Sequence, residues 1–436
     1  MTEQTHVQPQ PLEAVLLGAG NRGRDVFGRF ALLHPEELKF VAVADADPGK
    51  RERFALEHGI PPERCFARWE DLLGQPRLAP ALFNALPDAL HEASALRALE
   101  AGYHVMVEKP VASTLPGSRR VANAAQASGT VVMLGYVLRY TPFFTTMRRI
   151  VESGALGQIV TIEWRENVSS AHYAHSYVRG NWSRLADSSP MILAKCSHDL
   201  DMMGWVTGLR VLRLVSFGNL MYFRSENAPE GAPERCHQGC PVESSCEFSA
   251  LRVYLGDNTG WPVSTITTDL TLEGRRRALE AGPYGRCVYR ADNDVVDHQV
   301  VALDFDCGAS GTLSMHGHSA EEGRAIRIDG TRATLRGVFK SSKQEIRLEP
   351  HTLSAMNEGG GEVVPITAPA GITGGGHGGG DDGLVAAFIR AVRDGQRESV
   401  QEYMESHELA FAIEQSRQTG RIVEMNAFRQ DARDHT

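Results

Sequence analysis

A chain of 436 residues, 42% hydrophobic and 23% charged, carries enough apolar material for two or three packed domains and is not disordered by composition. Its net charge of -9 argues against broad binding to nucleic acid or anionic membrane, since both favour basic surfaces. Met1 to Pro11 lacks a basic n-region and an apolar h-region, no apolar run reaches the ~18 residues of a membrane span, and seven cysteines are an odd number for a disulfide scaffold; a cytoplasmic protein with a small-molecule partner is expected.

Ala14 to Leu17 is a compact apolar strand followed at once by Gly18-Ala-Gly20-Asn21-Arg22-Gly23 and an amphipathic helix over Asp25 to Leu33. The spacing has a mechanical sense: the first glycine makes the turn, the second lets backbone approach a pyrophosphate, and the third permits close helix packing. A second strand, Phe40 to Ala44, ends in Asp45, placed for the adenosine ribose hydroxyls. A carboxylate there repels a 2′-phosphate, so NAD is expected over NADP, although Asp47, Lys50 and Arg51 blur that preference. Helices over Pro48 to His58, Trp69 to Leu73, His91 to Ala101 and Pro116 to Ser128 alternate with strands over Ala81 to Leu86, His104 to Val107 and Val131 to Leu134. The pattern is doubly wound. Leu86, Pro87 and His91 follow one strand end, on the nicotinamide side of a cofactor, with helix capping as the other role for His91. Glu108-Lys109-Pro110 follows another strand end, where a lysine is either a proton-handling group or half of a surface ion pair.

Together, Gly18 to Gly23, Pro87-Asp-Ala-Leu-His91, Ala101 to Pro110 and Gly135-Tyr136-Val-Leu-Arg139-Tyr-Thr-Pro142 resemble the Gfo/Idh/MocA oxidoreductases, the dehydrogenases related to glucose-fructose oxidoreductase and inositol dehydrogenase. The resemblance covers essentially the whole chain, and Glu-Lys-Pro at a strand end is its distinguishing signature. It implies a Rossmann domain over residues 12–136 after a polar tail, then an α/β domain over 137–436 with an open, mainly antiparallel sheet that often builds homodimers or homotetramers. It also implies that Lys109 reaches the cleft between cofactor and substrate, beside Tyr136 and Arg139.

Beyond Pro142 come a helix over Phe143 to Ser153 and a β-branched strand over Ile159 to Asn167. Then follows a loop rich in polar aromatics, with Tyr173, His175, Tyr177, Arg179, Asn181 and Trp182. Its composition suits a carbohydrate, rings packing on C–H faces while Arg, Asn and His satisfy hydroxyls; the alternative is a loop packed on its own domain. In the resembling dehydrogenases an Asp precedes a His by four residues and another Asp follows by three. His198 and Asp201 match the second half of that pattern, making His198 the second catalytic candidate. Ala194 stands where the first Asp belongs, which puts a standard Lys–Asp–His relay in doubt; Lys195 and Asp199 become substrate-binding candidates, with helix capping as the other role for Asp199.

Cys236, Cys240 and Cys246 lie in an insertion over 227–248 and suggest a structural Zn²⁺ site whose fourth ligand is open among His237, Cys287 and a distant side chain. Strands are expected over Gln299 to Phe305, Gly311 to His318 and Ala325 to Asp329, and helices over Gly383 to Arg393 and Glu405 to Gln418. In the glycine-rich loop 372–382, His377 and Asp381 precede a helix; the segment is either a linker or a ligand-approaching loop, and it resembles a His-Gly-Gly-x-Asp segment of NAD-dependent glycosidases. The expectation is an NAD-dependent enzyme acting on a sugar, polyol or glycoside, with Lys109 and His198 handling the proton. Two alternatives stand beside it: an NAD-dependent glycosidase working by transient oxidation, elimination and re-reduction, and a non-catalytic NAD sensor.

Overall fold

Strands buried on both faces need continuous apolar runs, and the first half of the chain supplies six short ones: β1 (Leu12–Leu17), β2 (Leu38–Ala44), β3 (Cys65–Phe66), β4 (Ala81–Asn84), β5 (His104–Val107) and β6 (Val132–Leu134). In a computed structural model, which describes residues 10–351, 361–367, 376–397 and 399–434, these strands form one parallel sheet in the order β3-β2-β1-β4-β5-β6. Most of the polar tail and residues 372–375 of the glycine-rich loop lie outside the described residues. Helices occupy the connections between the strands. Pro48–His58 shows why they stop and start where they do: the Asp47 side chain accepts from the Lys50 N–H, Pro48 opens the first turn, and Gly59 closes the helix at φ 63°.

The chain divides into two compact units. The first runs as far as Ala112 and adds Gly117–Val137 and Gly374–Gln401. The helix Gly380–Asp394 therefore returns to the parallel-sheet unit, where Phe388 packs edge-on against Phe83 with centroids 5.2 Å apart. One expected element differs in form: the helix after the glycine turn begins at Asn21, winds as a π-helix to Gly28, and continues as α-helix over Arg29–Leu33.

The second unit comprises Ser113–Pro116, Leu138–Thr373 and the chain from Glu402 onward. It contains β7 (Ile159–Ser169), β8 (Val211–Asn219), β9 (His298–Phe305), β10 (Ser310–Ser319), β11 (Gly323–Gly330), β12 (Ala333–Phe339), β13 (Gln344–Pro350), β14 (Glu362–Val364) and β15 (Val423–Glu424). They form one open sheet, β14-β13-β12-β11-β7-β10-β9-β8-β15, antiparallel throughout except where β7 and β10 run parallel. Its inner face carries Ile162, Trp164, Leu313, Ile326, Ile328 and Leu335, all buried. Helix Pro142–Glu152 covers that face: Phe144 stacks on Trp164 at 6.0 Å and Phe143 meets Phe339 at 5.1 Å. Each such aromatic stabilises the unit by roughly 1.5–3 kcal/mol. Between β8 and β9 the chain forms only short helices and one isolated bridge, Arg235 to Arg286. No helix among the described residues is long and apolar enough to cross a membrane.

Candidate active site

Parallel register brings three strand ends of the first unit level, because Leu17 pairs with Asn84 and Asn84 with Val107. The residues that follow them, Gly18, Ala85 to Pro87 and Glu108-Lys109, therefore share one edge of the sheet, the carboxyl edge where doubly wound folds bind ligands. The glycines divide their work as the spacing predicts. Gly18 has φ +85°, and a Cβ there would lie 2.4 Å from the Ala85 carbonyl oxygen; a Cβ on Gly23 would lie 1.9 Å from the Gly18 oxygen. Around Gly20 nothing stands within 4 Å of the corresponding point, so that backbone is open to a ligand at a helix N-terminus. The cradle fits a dinucleotide pyrophosphate. Asp45 is fixed beside it, accepting from the N–H groups of Ala19 at 2.7 Å and Asp47 at 2.8 Å. Arg51 in turn donates to the Asp45 carbonyl at 2.6 Å.

Arg22 ties this turn to the signature strand end. Its Nε and Nη2 each lie 2.7 Å from Glu108 Oε1, and its Nη1 lies 2.7 Å from Asp381. Asp381 also meets the His377 ring at 3.1 Å, so the chain Glu108, Arg22, Asp381, His377 links segments far apart in sequence. Burial works against the charge on Arg22, yet the two carboxylates outweigh it and raise its pKa above the ordinary range. Asp381 is held well below its ordinary value: burial opposes ionisation, while His377 and Arg22 together overcome it. Glu108 fits only because Gly135 has no side chain, since a Cβ there would lie 2.6 Å from its carboxylate. Lys109 is half-buried immediately after it. His91 is fully buried, its ring nitrogens 2.7 Å from the carbonyls of Pro110 and Leu86, so it sits between two of the three strand-end turns. It does not cap its own helix, whose first turn has no side-chain cap. Pro87 and Asn21 are exposed and Leu86 half-buried.

In the second unit His198 lies half-buried in helix Ser197–Thr207. Beneath it is a charge network that sequence reasoning missed. Register pairs Glu166 on β7 with Arg324 on β11, and Arg324 Nη2 lies 3.0 Å from Glu166. Arg324 also grips Asp199 through Nε at 2.7 Å and Nη2 at 3.2 Å, and Trp164 Nε1 donates to Asp199 at 2.8 Å. Lys195 Nζ stands 3.2 Å from Glu166. Burial pushes the Glu166 pKa up to about 7, Arg324 resists, Asp199 adds to the rise and Lys195 opposes it. The signal was available: Glu166 is in phase with Ile162 and Trp164, and Arg324 with Ile326 and Ile328, so both charges fall on inward-facing positions.

Several residues expected to bind substrate have protein partners here. Asp199 is fully buried and committed to Trp164 and Arg324. Arg139 forms a two-pronged pair with the buried Asp201, at 2.8 and 2.5 Å, and stacks 4.4 Å over the Tyr403 ring. The aromatic segment is not a loop: it forms a helix over Ser170–Tyr173 and a π-helix over Ala174–Arg179, with Tyr173, His175, Tyr177 and Arg179 all buried. Tyr173 donates to the Val296 carbonyl, His175 meets Tyr254 at 2.8 Å, and Arg179 donates to the carbonyls of Arg286 and Phe248. Turning a mixed polar-aromatic sequence inward satisfied its polar atoms with protein partners. Asn181 is exposed, Trp182 half-buried, Tyr136 buried and His377 exposed. Cys236, Cys240 and Cys246 border one small pocket together with Cys287.

Known proteins match this chain along most of its length. The profile of an oxidoreductase family's NAD-binding Rossmann fold matches residues 12–136, and that of the same family's C-terminal alpha/beta domain matches 148–425. YteT, an oxidoreductase of Bacillus subtilis, is 24% identical over 68% of this chain and 69% of its own. The inositol 2-dehydrogenase of Ralstonia nicotianae is 27% identical over 45% of this chain and 55% of its own, so the chain spans about half the length of that relative. Among solved structures, a levoglucosan dehydrogenase complexed with NADH is similar at TM-score 0.69 and 18% identity, covering 95% of this chain and 99% of that one. An inositol dehydrogenase homolog from Azotobacter vinelandii complexed with NAD⁺ gives 0.68 and 19%, covering 97% and 100%.

Proposed function

Since this chain belongs to the Gfo/Idh/MocA oxidoreductase family, a family with an NAD-binding Rossmann fold, we propose that it is an NAD-dependent dehydrogenase of a sugar or polyol. The observation that carries the reading is the open backbone at Gly20 beside the fixed Asp45 carboxylate, a cradle shaped for a pyrophosphate and an unphosphorylated ribose. When bound, the nicotinamide supplies the acceptor for hydride from the substrate carbon. Lys109 takes the proton from the substrate hydroxyl, and His198 assists it. With Ala194 in place of the usual Asp, we assign the missing carboxylate to Glu166: it lies 3.2 Å from Lys195, and burial raises its pKa toward proton exchange. We assign the substrate to the carbohydrates and polyols because relatives named for inositol and levoglucosan share the family. A homodimer or homotetramer built on the open sheet is supported by Phe217 and Val300, cross-strand neighbours that are both exposed on its outer face.

The test offers the purified protein NAD or NADP with a panel of free sugars, polyols and aryl glycosides, following reduced-nicotinamide absorbance and products together. NADH accumulating in step with oxidised sugar or polyol is expected. A second reading, the NAD-dependent glycosidase, is favoured by the His377 ring held on Asp381 in the glycine-rich segment. Aglycone release that requires NAD yet leaves no net NADH would replace the first reading with the second.

A further inference from the structure

The segment between β8 and β9 leaves one large aromatic ring open to solvent. Trp261 is 49% exposed, yet the turn that carries it is fixed. Asn258 Oδ1 accepts from the Gly260 N–H at 2.9 Å, Asn258 Nδ2 donates to the Trp261 carbonyl at 3.3 Å, and Val263 is anchored in an apolar cluster with Ala250, Tyr254 and Leu279. An exposed tryptophan alone needs no explanation; the groups around this one do. The cysteines of the same segment, by contrast, do not gather for the expected zinc. Thiolates on one zinc stand ~3.8 Å apart, whereas among the described residues the one trio of candidate donors within 4.8 Å of one another is His34, Glu36 and Glu37.

Two imidazoles meet the Trp261 ring at near right angles, His172 with centroids 5.1 Å apart and His175 at 5.5 Å, so no ring among the described residues stacks flat against it. The two histidines differ in what they have left to offer. His175 spends both ring nitrogens inside the protein, on Tyr254 at 2.8 Å and Thr265 at 3.2 Å. His172 spends one: its Nδ1 lies 3.0 Å from Glu322 Oε1, which also accepts from the Ser169 N–H at 2.8 Å and hydroxyl at 2.7 Å. Burial works against the charge on Glu322, yet His172, Lys195 and Ser169 bring its pKa down to about 2. Burial holds the His172 pKa below its ordinary value, with Glu322 opposing and Lys195 reinforcing. An ionised carboxylate only accepts, so in the neutral ring Nδ1 carries the proton and Nε2 keeps its lone pair. Among the described residues His172 Nε2, Glu322 Oε2 and the Trp261 Nε1–H have no hydrogen-bond partner, and both polar side chains stay partly exposed.

An open aromatic face bordered by two acceptors and an N–H donor matches the surface of a sugar ring. A pyranose or cyclitol chair presents a flat patch of C–H groups on one face and hydroxyls around its rim, and each hydroxyl can both donate and accept. The Glu322 charge disfavours an anionic ring. An open-chain polyol carries the same hydroxyls without a preformed face, and ordering it costs rotamer freedom.

We propose that Trp261, His172 and Glu322 form a subsite for a neutral ring-form sugar or cyclitol, the ring lying on the indole while its hydroxyls donate to His172 Nε2 and Glu322 Oε2. The subsite rests on the carbohydrate assignment above and narrows it to closed rings, leaving out open-chain polyols.

The purified full chain, with and without NAD, is to be titrated with methyl glucopyranoside, methyl galactopyranoside, myo-inositol, sorbitol and mannitol, binding being followed by calorimetry and by saturation transfer from protein to ligand protons. Ring compounds are expected to bind, with the C–H protons of one ring face most strongly saturated, and the open-chain polyols to bind about tenfold more weakly or not at all. Trp261→Ala should weaken ring binding by about tenfold or more and Trp261→Phe by only a few-fold. Wild-type ring affinity in Trp261→Ala overturns the subsite; so does equal binding of rings and open chains, or the absence of ring binding. Binding is read apart from turnover, so its loss in Trp261→Ala upholds the subsite even where no NADH forms. NADH formation from a ring sugar with an unchanged KM in Trp261→Ala upholds the dehydrogenase and removes the subsite. If the alanine variant fails to fold, the comparison of rings with open chains on the wild type decides alone.

Discussion

Three glycines within six residues offer a test in which stability and cofactor affinity are expected to separate. Gly20 has φ −75° and ψ −162°, which an L-residue adopts without strain, and a Cβ there meets no protein atom within 4 Å. Gly20→Ala loses unfolded-chain entropy worth ~0.4–1 kcal/mol in favour of folding. Alanine is the poorer N-cap by a similar amount, so the melting temperature should barely move. The methyl group would instead occupy the space through which a pyrophosphate reaches the helix N-terminus. Losing one hydrogen bond to a charged group, about 1.5–3 kcal/mol, weakens NAD binding by roughly tenfold to a hundredfold. Gly23→Ala is the opposite case: its Cβ would sit 1.9 Å from the Gly18 oxygen, so backbone must move. A cost of roughly 3 kcal/mol or more is expected, lowering the melting temperature by about 6–12 °C. Calorimetric unfolding and NAD titration on both variants measure the two quantities. Wild-type NAD affinity in Gly20→Ala would refute the placement of the pyrophosphate.

Lys109→Ala should keep NAD affinity within a few-fold while turnover falls by about 10²–10⁴, the range for a proton-handling group; retained turnover would remove Lys109 from the reaction. Arg139→Ala leaves Asp201 buried without its cation, so a loss of about 3–5 kcal/mol in urea unfolding is expected; an unchanged midpoint with a raised KM would restore Arg139 as a substrate contact. Burial, with His172 and Arg179 nearby, lowers the His175 pKa to about 4. The folded state therefore favours the neutral ring: its contribution is intact above pH ~6.5 and is lost as pH falls toward 4, by up to about 3 kcal/mol. His175→Gln should flatten that part of the stability profile; an identical pH slope in the variant would refute the assignment.

Legibility followed distance along the chain. The glycine turn, Asp45 and Glu108-Lys109-Pro110 could be read because strand, turn and helix are contiguous, and β5 and helix Pro48–His58 have the bounds their apolar run and caps dictate. The Arg22 to Asp381 pair joins residues 359 positions apart, and nothing local in either segment names its partner. The aromatic segment failed for another reason. Composition describes what a loop can recognise, but the same hydroxyl, imidazole and guanidinium groups satisfy buried carbonyls equally well. Tyr254, Phe248, Arg286 and Val296, all from the segment between β8 and β9, decide that these side chains turn inward.

The charge network shows how close sequence reasoning comes and where it stops. A carboxylate in phase with Ile162 and Trp164, and an arginine in phase with Ile326 and Ile328, are each visible alone as charges on an inward face. Burying either without the other costs several kcal/mol, so each predicts that a partner exists without saying which. Register supplies the answer, since Ile328 opposite Ile162 and Ile326 opposite Trp164 force Arg324 opposite Glu166. A slip of β7 by one residue would turn Ile162, Trp164 and Glu166 to the other face, exposing a tryptophan and an isoleucine. The apolar residues thus fix the pairing, and the ion pair follows as their consequence. With Asp199 already held by Arg324 and Trp164, Lys195 finds its carboxylate in Glu166. The carboxylate beside Lys195 thus lies on the sheet and not on its own helix, where a motif read along the chain does not look.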